Sequence, residues 1–82
     1  MKPEEIRALV IEVIAETFEA DASAIHDATV ADDVDGWDSL GHTVLMIRLG
    51  KRLGRGVPES IASEAKNVGL LIAMLTSHMS AG

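Results

Sequence analysis

Apolar residues near the start of the chain fall at steps of three and four: Ile6, Leu9, Val10, Val13, Ile14 and Phe18. That spacing predicts an amphipathic helix with one buried stripe. Pro3 suits its first turn, and Glu4 and Glu5 complement the positive end of its dipole. From about Asp21 to Asp38 the periodicity stops, and "DASAIHDATVADDVDGWD" is dense in small and acidic residues that favour caps and turns. It reads as a long ordered loop anchored to the core by Ile25, Val30 and Val34, with a short turn at "DASAI" capped by Asp21 or Ser23. Loops this long without regular structure are uncommon in compact domains and are often functional.

Helical spacing resumes in "SLGHTVLMIRLGKRL", where His42, Leu45, Met46, Leu49 and Leu53 share a face and Gly54 and Gly56 supply a stop. "VPESIASEAK" predicts one or two helical turns, with Pro58 at the start and Ile61 and Ala65 inward. Asn67 then caps a last helix that carries Val68, Leu71, Ile72, Leu75 and Met79 on one side, and "SAG" reads as a frayed tail. Stripes of this kind are stable only when they meet in a common core. The expected architecture is all-α: a small four-helix bundle with three long helices and a short third one, in a single domain over residues 1–82.

Composition sharpens that picture. The hydrophobic fraction of 48% is mainly Ala, Val, Ile, Leu and Met, with Phe18 and Trp37 the aromatics, which favours helices over strands. Eighty-two residues bury roughly 60–65% of their unfolded surface, enough for one core. Without cysteine the chain has no disulfide, no thiolate ligand and no thiol nucleophile, so any thioester chemistry must borrow its sulfur. The apolar runs fall far short of the ~20 residues that cross a bilayer. The opening "MKPEEIRALVIEVIAE" is too acidic for a leader, so a cytoplasmic monomer that does not bind membranes is expected.

The net charge of −6 argues against nucleic acid as a partner. Its distribution is uneven. Residues 1–38 hold eleven acids against Lys2 and Arg7, whereas residues 39–82 hold Arg48, Lys51, Arg52, Arg55 and Lys66 against Glu59 and Glu64. The molecule should therefore have an acidic and a basic side.

Ser39 is the candidate site. Its plain reading is a helix cap, in which the hydroxyl accepts from an orphan N–H for about 1 kcal/mol. Its position after a long acidic loop also implies an exposed helix mouth, where free N–H groups and the dipole favour an anion such as a phosphate. Beyond the inward face, Leu40, Val44 and Ile47 form a second apolar stripe that suits docking. Gly36 permits a tight turn, and Trp37 packs nearby or marks the rim of that surface.

"GWDSLGHTVLMIRLGKRLG", with the acidic loop before it, resembles acyl carrier proteins and the related peptidyl, aminoacyl and D-alanyl carrier domains. The likeness extends over nearly the whole chain, through the short third helix and the Asn-Val-Gly opening of the last. It implies that Ser39 carries 4′-phosphopantetheine, delivered from coenzyme A by a phosphopantetheinyl transferase, with Asp38 and Leu40 helping to present it. It further implies a non-catalytic carrier that receives an acyl or aminoacyl group from a loading ligase or acyltransferase and passes it to downstream enzymes. Fatty acyl, polyketide, amino acid and D-alanyl groups all attach to the same thiol. Where many fatty-acid carriers have an acidic second helix, this one has Val44, Ile47, Arg48 and Lys51 on its outer side, which points to a specialised pathway and to partners of different charge.

Other chemistries compete for the same residues. Asp33, Asp35 and Gly36 fit the third, fifth and sixth places of an EF-hand loop, but Ala31 and His42 then stand where a carboxylate and a bidentate Glu are needed. Asp38, Ser39 and His42 invite comparison with a hydrolytic triad, which also needs an oxyanion hole and a cleft. His42 instead lies on the core-facing side, as a satisfied or partly buried histidine. His26 and His78 take surface or loop roles. Met46 and Met74 read as core, with side chains able to line an acyl chain held between helices. From a different class, an unmodified helical adaptor would bind a partner through its second helix and use Ser39 only as a cap.

Overall fold

The computed structural model describes residues 1–80. Its elements are α1 (Pro3–Phe18), two 3₁₀ turns (Ala22–Ala24 and Ala31–Asp33), α2 (Ser39–Leu53), α3 (Glu59–Glu64) and α4 (Val68–Ser80), with no strand among the described residues. The predicted all-α bundle of three long helices and a short third is thus the observed architecture. Ser80, placed in the frayed tail on sequence grounds, ends α4; Ala81 and Gly82 lie outside the described residues.

The expected stripes meet in one core. Ile6, Val10, Val13 and Ile14 of α1 pack with Leu45 and Leu49 of α2, Ile61 of α3, and Val68, Leu71 and Leu75 of α4. Each large aliphatic side chain removed from water in this way stabilises the fold by about 1.5–3 kcal/mol, so the core outweighs any single polar contact. Phe18, Ala65, Met74 and Met79 are only half-buried, packed against the core's edge.

The long loop is held by backbone bonds more than by apolar anchors. Ile25 is buried as expected, but Val30 is exposed and Val34 half-buried, while Thr29 is buried. Thr29 can enter because its hydroxyl accepts from the His26 N–H at 3.0 Å, so no polar atom is stranded. The Thr29 carbonyl accepts from Val68 N–H, and the Asp27 carbonyl from Gly69 N–H, both at 2.9 Å. Extended backbone at Val30 (φ −115°, ψ 166°) then turns that side chain to the opposite side. With Asn67 Oδ1 accepting from Leu70 N–H at 2.7 Å, the first N–H groups of α4 are all satisfied. The short turn at Ala22–Ala24 is capped by Asp21, whose carboxylate takes both the N–H and the hydroxyl of Ser23. Those bonds hold the Asp21 carboxyl below the usual aspartate range.

Ion pairs join the acidic and basic halves at Arg52 and fasten the acidic half to itself at Arg7. Arg52 of α2 reaches Glu12 at 3.0 Å and Glu16 at 3.9 Å on α1. Arg7 forms a two-pronged pair with Asp27, fastening the loop to α1. All these side chains are solvent-exposed, so each pair contributes little to stability.

Candidate functional site

The mouth of α2 is set by Asp38 and Ser39. Asp38, in extended backbone, is the residue that caps the helix: its Oδ1 accepts from Gly41 N–H at 2.8 Å, and its carbonyl accepts from His42 N–H at 2.8 Å. Ser39 is therefore the first helical residue, and the cap duty assigned to it on sequence grounds belongs to Asp38. An aspartate in the preceding position reaches the third amide of the helix, and the serine has no amide left to take.

Ser39 is exposed, and its hydroxyl takes part in no hydrogen bond among the described residues; only its carbonyl is used, by Thr43 Oγ1 at 3.2 Å. The N–H groups of Ser39 and Leu40 are likewise left without acceptors in the first turn. Two unpaired donors and the positive end of a fifteen-residue helix thus surround a free hydroxyl. A phosphate ester on Ser39 would meet no wall of packed side chains and would find donors beside it. The residues present fit the group that the resemblance implies.

Close packing beneath the mouth fixes its position. Gly36 has φ 89°, a conformation open to glycine, and turns the loop under the start of α2. A Cβ on Gly41 would run into the Gly36 carbonyl and come within 2.8 Å of the Phe18 ring, so a glycine is needed where the loop and α1 press against the helix. Phe18, Trp37 and His42 form a stack, with ring centroids 5.5 and 6.2 Å apart and interplanar angles of 16° and 17°. Trp37 Nε1–H donates to His42 Nδ1 at 3.0 Å, and His42 Nε2 lies 2.8 Å from the Ala62 carbonyl on α3. The neutral imidazole with its proton on Nε2 satisfies both contacts.

This arrangement decides among the roles considered for these residues. His42 is half-buried and satisfied, with both nitrogens committed, so neither is left to take a proton from Ser39. Trp37 is half-buried and packs within the site, bracing the loop rather than standing at an open rim. Asp33 accepts from Val30 N–H at 3.1 Å as a turn residue, and among the described residues no three carboxylates or imidazoles converge as metal ligands would. The tie from His42 to Ala62 was not visible in the sequence, because the acceptor is a backbone atom twenty residues away.

The outer side of α2 is open. Leu40 is 74% exposed and Ile47 55%, with Val44 half-buried between them and Arg48 and Lys51 exposed alongside. Neither Arg48 nor Lys51 pairs with a carboxylate among the described residues. No helix among the described residues is long and apolar enough to cross a membrane. Comparison of the chain with family models, with curated proteins and with solved structures finds no match in any of the three.

Proposed function

We propose that the chain is a carrier protein that holds an acyl or aminoacyl group as a thioester on 4′-phosphopantetheine attached to Ser39. The observation that carries this reading is the free, exposed Ser39 hydroxyl at the first position of α2, relieved of capping by Asp38. A serine needed only as a cap would point its oxygen at an amide. This one does not.

When attached, 4′-phosphopantetheine supplies the thiol that the cysteine-free chain lacks. The chain's own part is to anchor and present. Ser39 offers the hydroxyl, Asp38 fixes the first turn, and Leu40 stands outward beside them for the phosphopantetheinyl transferase to grip. Leu40, Val44, Ile47, Arg48 and Lys51 form the surface on which a loading ligase or acyltransferase and the downstream enzymes dock, with Trp37 supporting it from below. A tether of this kind raises the effective concentration of its cargo at each partner's active site. The chain contributes no catalytic group and works as a monomer in the cytoplasm, in a specialised biosynthetic pathway.

The alternative is an unmodified adaptor, favoured by the apolar exposure of Leu40 and Ile47 alone. Incubation with coenzyme A and a promiscuous phosphopantetheinyl transferase separates the two by intact mass. The carrier reading expects one phosphopantetheine added to the native chain and none to Ser39→Ala. No gain on the native chain, with the transferase active on a control carrier, rejects it in favour of the adaptor.

A further inference from the structure

A groove of ≈ 560 Å³ lies at the far end of α2 from Ser39, where the chain turns back toward α3. Met46, Ile47 and Val57 give it an apolar floor, and Lys51 and Arg55 stand on its rim. Gly54, with φ 80°, ends the helix and folds the "GRGV" segment against it. The backbone N–H groups of Arg55, Gly56 and Val57 donate to no acceptor among the described residues. Arg55 makes only a long contact, 3.5 Å, to the His78 carbonyl, and Lys51 pairs with no carboxylate among the described residues. Arg52, by contrast, is held on the α1 side by Glu12 and Glu16.

The groove therefore combines unpaired cations, unpaired amide donors and an apolar floor, on which Ile47 is exposed, Val57 half-buried and Met46 buried, within a chain whose net charge is −6. The last carbonyls of α2 are a partial negative charge that repels an anion, and a full positive charge on each of Lys51 and Arg55 outweighs it. Amides that the chain itself leaves unused bind carboxylate oxygens well, and an apolar floor asks for an apolar side chain beside them.

We propose that this groove docks an acidic segment of a partner protein, whose carboxylates meet Lys51, Arg55 and the free amides while an apolar side chain lies on Met46, Ile47 and Val57. The inference deepens the carrier reading and rests on it for the need of a partner. It assigns that partner negative charge and places its contact on the second half of α2 and the turn after it, away from the attachment point. Rim charges of this type govern encounter rate and salt dependence and discriminate against partners of the wrong sign.

The test titrates the ¹⁵N-labelled full chain, without coenzyme A or transferase, with three synthetic peptides. One carries Glu and Leu at helical spacing, the second replaces Glu by Lys, and the third replaces Leu by Ser. Binding of the first should shift the amides of Arg55, Gly56 and Val57, weaken with added salt, and fall at least tenfold in Arg55→Glu and in Lys51→Glu. The other two peptides should bind at least tenfold more weakly than the first. Unmoved groove amides, equal binding of the Lys peptide, or undiminished affinity of the two variants would overturn the assignment. So would larger shifts of the same amides by phosphatidylglycerol vesicles, which would give the groove to a membrane surface. The spectra report folding of each variant directly. Since no phosphopantetheine is involved, failure here leaves the Ser39 reading standing, and absence of modification at Ser39 leaves the groove result standing.

Discussion

Trp37 and His42 are bonded through their rings, indole N–H to imidazole Nδ1 at 3.0 Å, and the second imidazole nitrogen reaches the Ala62 carbonyl of α3. One side chain thereby ties the loop before α2 to the helix after it. His42→Ala strands an indole donor and a carbonyl in a half-buried site and should lower stability by about 1–3 kcal/mol. His42→Phe keeps a ring for the stack but restores neither bond, so it should recover less than half of that loss. Urea unfolding followed by the fluorescence of Trp37, the chain's single tryptophan, measures both. Equal stability of His42→Ala and the native chain would show that the tie contributes nothing.

The cap assignment gives a paired prediction. Asp38→Ala removes the acceptor of Gly41 N–H and should cost about 1 kcal/mol, whereas Ser39→Ala removes a hydroxyl bonded to nothing and should change stability by less than about 0.5 kcal/mol. Denaturant midpoints of the two variants decide it. A larger loss from Ser39→Ala than from Asp38→Ala would restore the serine as the cap.

Two glycines should respond in opposite directions to a methyl group. Gly41→Ala drives a Cβ into the Gly36 carbonyl and the Phe18 ring, with an expected loss of about 1–3 kcal/mol. Gly56→Ala meets nothing within 4 Å and should leave stability unchanged or raise it by up to about 1 kcal/mol, through the unfolded chain's lost freedom. Thermal midpoints compared side by side test the contrast.

The Arg7–Asp27 pair predicts a response to acid. The hydrogen bond from Arg7, helped by its charge, holds the Asp27 carboxyl below its ordinary value. Its contribution is then complete above the unfolded value of about 3.9 and is lost as pH falls through the lower folded value. Asp27→Asn should accordingly lose less stability than the native chain between about pH 5 and pH 2, by a small amount because both partners face solvent. Urea midpoints across that range measure the difference, and identical slopes would remove the pair from the acid response.

The helices were legible because their apolar periodicity is local. The stripes of α1, α2 and α4, the cap at Asn67 and the turn cap narrowed to Asp21 or Ser23 all appear within a few residues of one another in the sequence, and the structure selects Asp21. Ser39 was legible as an exposed hydroxyl, while its reading as the cap failed by one residue of helix boundary, since Asp38 holds that position. Thr29 was missed as an anchor, since its burial depends on a local hydroxyl bond and on Val68 N–H from a distant helix, neither visible in hydropathy. The groove beside Gly54 was missed for a related reason. Its cations are plain in the sequence, but which of them stay unpaired depends on Arg52 finding Glu12 across the bundle.

The central claim concerns Ser39, and the most direct measurement is peptide mapping by mass spectrometry of the chain recovered from its native cells. The account predicts a phosphopantetheine on the peptide spanning residue 39, with fragment ions placing it on the Ser39 hydroxyl. A population in which that peptide is uniformly unmodified, or modified at another residue, would contradict it.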